Sequence, residues 1–108
     1  MNKLFINEDE IMSQQAREAF RSFRSNIEFT GVDNRAIVIT SCLPADGKST
    51  VSLRLAMTFA ESEKKTVLVD ADMRRSVLMR RVRAEGDNTS VGHSHVLSGQ
   101  KSVTEALY

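Results

Sequence analysis

The sequence is short of the residues that build unusual scaffolds. It has one cysteine, one proline and five glycines in 108 residues, and no tryptophan. A single cysteine cannot close an internal disulfide, which suits a reducing compartment. So little proline and glycine excludes a collagen-like or low-complexity chain. Neither sign of charge dominates: 15 Lys and Arg stand against 14 Asp and Glu, so overall basicity offers no route to nucleic acid. No apolar run approaches the ~20 residues that span a bilayer. The N-terminus carries the acidic Glu8, Asp9 and Glu10 and lacks the apolar core of a secretory signal. What is left is the composition of a globular chain, 41% hydrophobic and 27% charged. Its length fits one small domain or part of a larger one.

Periodicity organises the first third. Met12, Ala16, Ala19, Phe20, Phe23 and Ile27 recur at spacings of three and four and predict an amphipathic helix from about Glu10 to Phe29. Glu8, Asp9 and Glu10 suit the positive end of its dipole, and Gly31 suits its C-terminal stop. The run Ala36-Ile37-Val38-Ile39-Thr40-Ser41 is short, β-branched and nearly all apolar, the pattern of a strand buried on both faces. A turn over Cys42 to Thr50 leads into a second helix from about Lys48 to Glu63, and Thr66-Val67-Leu68-Val69-Asp70 reads as a second buried strand. Strand, helix, strand predicts a βαβ unit with parallel strands. Ser102-Val103-Thr104-Glu105 has the spacing of a capping box that opens a further helix.

Two segments carry chemistry. Gly47-Lys48-Ser49 falls between the first predicted strand and the second predicted helix, which is the context a phosphate-binding loop requires. A phosphate needs several donors converging without side chains in the way, and a tight loop ending at a helix N-terminus supplies them together with a partial positive charge. Gly47 admits close backbone approach. Lys48 is placed for the β and γ phosphates, Ser49 for a Mg²⁺ ion and Thr50 for the α phosphate. The usual opening glycine is replaced by Cys42. Ala45 occupies a loop position where a residue tolerant of positive φ would be safer, and if the position needs left-handed geometry alanine costs about 1–2 kcal/mol. The second segment, Val69-Asp70-Ala71-Asp72, ends its predicted strand with two carboxylates at the C-terminal sheet edge, where open parallel sheets bind ligands. Asp70 and Asp72 are candidates for Mg²⁺ and for orienting an attacking hydroxyl.

Together these motifs resemble the bacterial tyrosine kinases of capsule and exopolysaccharide synthesis, the BY-kinases, from about Ala16 to Tyr108. Glu18-Ala19-Phe20-Arg21-Ser22-Phe23-Arg24 matches the family's E-x-x-R-x-x-R signature. Pro44 to Thr50 is similar to its phosphate loop, Val67 to Arg75 to its D-x-D-x-R motif, and Leu97-Ser98-Gly99 to a later L-S-G stretch. The resemblance implies an α/β fold, a P-loop NTPase-like parallel sheet with flanking helices. It divides the chain into an N-terminal helical region, 1–34, and a partial kinase domain, 35–108, with the phosphate loop at 42–50 and the acidic motif at 67–75. It implies transfer of the γ-phosphate of ATP to tyrosines, with ATP held by Asp46, Gly47, Lys48, Ser49 and Thr50. Lys48, Asp70 and Asp72 become the catalytic set, and Ser49, Asp70 and Asp72 the Mg²⁺ set. Glu18, Arg21 and Arg24 become contacts of a homo-oligomer. The implied place of work is the cytoplasm, at the inner face of the membrane, beside a membrane-embedded regulator of polysaccharide chain length.

The sequence also departs from the family. A third motif, a buried strand ending in Asp, has no counterpart: after Asp72 the remaining Asp is Asp87, with no apolar run before it. The tyrosine-rich tail has none either, since the one tyrosine is Tyr108. His93 stands where Leu is expected after Gly92. The expectation is an incomplete domain, the N-terminal half of such a kinase and truncated as an enzyme. The alternatives are a non-catalytic nucleotide-binding or oligomerising fragment, or a partition-type ATPase. The last is disfavoured because those relatives carry an extra Lys early in the loop and none lies between Ser41 and Gly47. The arginine-rich stretch Arg74 to Arg83 has no interleaved aromatics for stacking bases and reads as a solvated face. His93 and His95 are too few to hold zinc, and Cys42 has no recognisable base beside it.

Overall fold

A computed structural model describes residues 4–5, 12–31, 33, 35–74, 78, 85–86 and 91–108. The chain divides into two compact units, Asp9–Leu68 and Met1–Glu8 together with Val69–Tyr108. Several residues singled out above fall outside the described set: Glu8, Asp9 and Glu10, then Arg75, Arg80, Arg81, Arg83 and Asp87.

The first unit is a packed pair of helices, α1 (Gln14–Thr30) and α2 (Lys48–Glu61). Ser13 caps α1: its backbone is extended and its Oγ accepts the Ala16 N–H at 3.3 Å, satisfying one of the donors that a helix start leaves over. Gly31 is the C-cap, in an extended conformation. Met12, just ahead of α1, is buried with Leu53, Leu55 and Thr58 of α2. Thr58 is 1% exposed, and its hydroxyl is satisfied by the Arg54 carbonyl at 2.7 Å. The C-terminal end of α2 is closed by a Schellman motif. The Lys64 N–H reaches the Phe59 carbonyl at 3.3 Å and the Glu63 N–H reaches Ala60 at 3.0 Å, with Glu63 in the left-handed region at φ 62°.

Helix α2 has no cation of its own in its last turn, and it ends on Glu61. An acid there opposes the helix dipole. The cations come from α1. Arg17 Nη1 lies 3.2 Å from Glu61 Oε1, Arg21 Nη2 lies 3.5 Å from Glu61 Oε2, and Arg24 Nη1 donates to the Thr58 carbonyl at 3.0 Å. Lys64, just beyond α2, pairs with Glu28 at 3.0 Å.

In the second unit, β1 (Leu4–Phe5) pairs antiparallel with β2 (Glu85–Gly86), in the register Leu4 to Gly86 and Phe5 to Glu85. A short helix, α3 (His93–Leu97), follows, and then a 3₁₀ turn over Thr104–Ala106. Val91 is its buried apolar residue among those described, and the Tyr108 hydroxyl donates to the Val91 carbonyl at 2.8 Å. The capping box forms as expected. The Ser102 N–H reaches Glu105 Oε2 at 2.9 Å and the Glu105 N–H reaches Ser102 Oγ at 3.3 Å. It opens the 3₁₀ turn. His93 is half-buried, and its Nδ1 is shielded with no hydrogen-bond partner.

The parallel sheet expected from the sequence is not found. Residues 35–41 and 64–72 have no regular secondary structure, and the one sheet among the described residues is the two-stranded β1–β2 pair, which is antiparallel. The expectation of an α/β, P-loop NTPase-like fold is corrected to a helical arrangement. The physical reason lies in cover. A parallel strand needs a hydrogen-bonded neighbour and helices over both faces, whereas Val38 is 88% exposed, Val67 69%, Val69 61% and Ile37 47%. The apolar composition of the two segments is real, and Ile39 and Leu68 are half-buried, but among the described residues neither segment has a strand paired beside it.

Candidate functional site

The loop from Ser41 to Gly47 delivers the chain into α2. Two of its residues take the left-handed conformation: Ala45 at φ 60° and Gly47 at φ 90°. Gly47 is the N-cap of α2, with no side-chain bond across the helix start. Built on Gly47, a Cβ would touch nothing within 4 Å, so glycine is demanded there by backbone conformation and not by crowding. At Ala45 the same backbone sign is met without glycine, at a cost of about 1–2 kcal/mol. Glu63, beyond the other end of α2, is the second non-glycine residue in this conformation among those described.

Lys48 is the first residue of α2, and its ammonium is folded back over the loop. It donates to Ser41 Oγ at 2.8 Å and to the Leu43 carbonyl at 3.3 Å. Ser41 Oγ in turn donates to the Leu43 carbonyl at 2.8 Å. Three groups thus form a closed triangle at the loop mouth. An ammonium has three N–H donors, so two are directed at the loop. Ser49 and Thr50 stand half-buried in the first turn of α2, and Asp46 is exposed. Asp46, Gly47, Lys48, Ser49 and Thr50 therefore sit contiguously at one helix start.

Asp70 and Asp72 belong to the other unit and organise their own turn. Asp70 Oδ1 accepts the Asp72 N–H at 3.1 Å, and Asp72 Oδ1 accepts the Arg74 N–H at 3.1 Å. These are two successive Asx turns, the local bonding that Asp provides in loops. Among the described residues no group of three or more His, Cys, Asp or Glu is gathered as a metal site. Of the E-x-x-R-x-x-R residues, Glu18 is exposed, while Arg21 and Arg24 reach α2 as described above. Arg24 Nε is shielded and unpartnered.

Sequence reasoning missed four groups here. The Leu43 carbonyl is a backbone atom, and composition says nothing about where it points. Ser41 was read as the last residue of a strand, though a hydroxyl seven residues before a loop lysine was the available signal. Thr58 and Glu61 as receivers of the α1 arginines depend on how two helices meet.

Comparison with known proteins adds the lineage. No protein-family model matches the chain, and no solved structure matches it. Curated proteins do. The chain is 35% identical over 108 residues to tyrosine-protein kinase CpsD of Streptococcus agalactiae, an alignment covering 99% of this chain and 46% of that protein. It is 38% identical over 92 residues to tyrosine-protein kinase YwqD of Bacillus subtilis, covering 83% and 38%. It is 35% identical over 103 residues to tyrosine-protein kinase ptk of Acinetobacter johnsonii, covering 94% and 13%. All three are bacterial tyrosine kinases by name. Within that class the chain is similar to the tyrosine-protein kinases CpsD and YwqD. It spans about half the length of CpsD, and no helix among the described residues is long and apolar enough to cross a membrane.

Proposed function

We propose that this chain carries the ATP-binding loop of a protein-tyrosine kinase that regulates capsule or exopolysaccharide synthesis and phosphorylates copies of its own kind. The observation that carries the reading is the loop itself. Left-handed Ala45 and Gly47 turn the backbone into the start of α2, with the Lys48 ammonium held at the loop mouth. That donor set fits a phosphate: backbone N–H groups at a helix start, a fixed cation and the adjacent hydroxyls of Ser49 and Thr50. The names of the relatives give the class of reaction.

Bound Mg-ATP supplies the phosphoryl group and the cation that neutralises its charge. The chain's own part is to bind and orient. Asp46, Gly47 and Thr50 would line the phosphate path, Lys48 would meet the terminal phosphates, and Ser49 would give its hydroxyl to Mg²⁺. Asp70 and Asp72 are hard oxygen donors of the kind Mg²⁺ takes, and one of them suits the tyrosine hydroxyl proton. Assembly through α1 belongs to the same proposal. Glu18 is the exposed member of its motif, and Arg21 and Arg24 would have to serve a neighbour as well as α2. A membrane-embedded chain-length regulator is the proposed partner, which puts the protein at the inner face of the membrane.

The test is an amide NMR titration with Mg-ATP, paired with a phosphotyrosine assay. The expected result is shifts centred on Gly47 to Thr50 that Lys48→Met weakens at least about tenfold, the scale for losing a charged hydrogen bond. An ATP-indifferent spectrum in the native chain would overturn the reading. Shifts without phosphotyrosine would favour the non-catalytic fragment over the kinase.

A further inference from the structure

We propose that Ser41 is a positioning residue for Lys48: its hydroxyl holds the ammonium over the loop before any nucleotide arrives. The inference rests on the nucleotide-binding reading of this loop and adds a residue to it. A lysine side chain has four rotatable bonds and loses much rotamer freedom when its ammonium is fixed on a ligand. Here the freedom is already restricted. Lys48 Nζ has Ser41 Oγ at 2.8 Å and the Leu43 carbonyl at 3.3 Å, and Ser41 Oγ is itself tied to the Leu43 carbonyl at 2.8 Å. The shorter of the two ammonium contacts is the serine's. Because that hydroxyl spends its own proton on Leu43, its lone pairs are turned toward the ammonium. The triangle fixes both the lysine and the acceptor that fixes it.

Location supports the same role. Ser41 is half-buried and precedes the strained stretch, while Lys48 follows it. The Ser41 to Lys48 contact therefore closes the loop across Ala45 and Gly47, joining its two ends by side chains. A loop pinned this way presents the ammonium from a defined place when an anion enters. Without the serine, Lys48 keeps only the longer bond to Leu43 and must be ordered by the phosphate itself, which lowers affinity.

Two measurements test this in the 108-residue chain. The first uses ¹³Cε-labelled lysine and reads the mobility of the Lys48 signal without nucleotide. The second reads the dissociation constants of Mg-ATP and of inorganic phosphate. Ser41→Ala is expected to sharpen the Lys48 signal toward that of a free lysine and to weaken Mg-ATP about fivefold to tenfold, the scale of one lost bond to a charged group. Ser41→Thr, which keeps the hydroxyl, is expected to restore both. Should Ser41→Ala not fold, Ser41→Cys supplies a near-isosteric weak acceptor with the same expected direction. An unchanged Lys48 signal, or an affinity loss that Thr does not restore, overturns the proposal. Failure of the native chain to bind Mg-ATP overturns the nucleotide reading instead, and the lysine signal then still reports on Ser41.

Discussion

Helix α2 and the apolar segments 36–41 and 66–70 all carry large apolar side chains, and these differ in their surroundings, while α1 buries no residue and leaves Phe23 and Phe29 exposed. Met12, Leu53 and Leu55 are buried around the helix pair, while Ile37, Val38, Val67 and Val69 remain exposed. The difference lies in where each element finds its hydrogen bonds. A helix satisfies its backbone internally and then needs cover along one stripe only. Between α1 and α2 that cover exists, and three arginines of α1 fasten the C-terminal turn of α2. An extended segment needs a neighbour for its backbone and cover for two faces. Stability in this chain therefore concentrates where two helices can complete one another.

The comparison breaks most sharply at Leu55 and Val38. Leu55 is 3% exposed, so Leu55→Ala is expected to destabilise by about 2–5 kcal/mol through lost burial and the cavity it leaves. Val38→Ala removes a side chain that is already in water and is expected to cost under about 0.5 kcal/mol. Urea unfolding of the two variants checks both. Equal losses would mean that the apolar segments are as well packed as the helices, and the contrast would be gone.

Legibility follows the same division. Helix α2 starts at Lys48, as the motif predicted, and α1 and Gly31 fall close to their expected places. These features depend on neighbours three or four residues away. So does the Ser102 to Glu105 capping box, which was read correctly. The start of α1 was credited to acidic residues when Ser13 caps it, because a single serine is a weak signal beside a cluster of charges. The buried strands were misread because a run such as Ile37-Val38-Ile39 reports only what a segment prefers. Whether a partner strand lies beside it is settled elsewhere in the chain. At the site, the positions of Gly47, Lys48 and Ala45 were legible, whereas the Ser41 and Leu43 oxygens that receive Lys48 were not.

Arg24 probes how the helix pair is held. Its Nη1 reaches the Thr58 carbonyl in the last turn of α2, and the residue is half-buried. Arg24→Ala is expected to cost about 1–2 kcal/mol by chemical denaturation, from a charged hydrogen bond and lost packing. Glu61→Gln, which weakens two surface ion pairs, is expected to cost about 0.2–1 kcal/mol. If Glu61→Gln proves the more damaging, the fastening is ionic and not a matter of closing the α2 carbonyls. Glu63 runs the other way. It holds the left-handed position of the Schellman motif at φ 62°, so Glu63→Gly is expected to stabilise by about 0.5–1 kcal/mol, seen as a raised Tm. An unchanged or lowered Tm would show that the Glu63 side chain contributes more than its backbone costs.

The smallest effect belongs to Glu105, in the other unit. Its carboxylate accepts the Ser102 N–H at 2.9 Å, the Ser102 hydroxyl at 2.9 Å and the Lys101 ammonium at 3.1 Å. These donors favour the ionised form, the Ser102 backbone bond most, and lower its pKa from 4.5 to about 2. A carboxyl whose pKa is depressed on folding stabilises the fold above its unfolded pKa. That contribution is lost as pH falls through the folded value. The 3₁₀ turn should therefore hold from neutral pH down past 4.5 and loosen as the pH approaches 2. Because the group is exposed, screening keeps the effect on global stability small, and the informative reading is local. A ¹³C titration of the Glu105 carboxyl is expected to show a midpoint near 2, moving up toward 4.5 in Ser102→Ala. A native midpoint at the ordinary glutamate value would mean that the capping box does not persist in solution, and the 3₁₀ turn would stand without the bonds that open it.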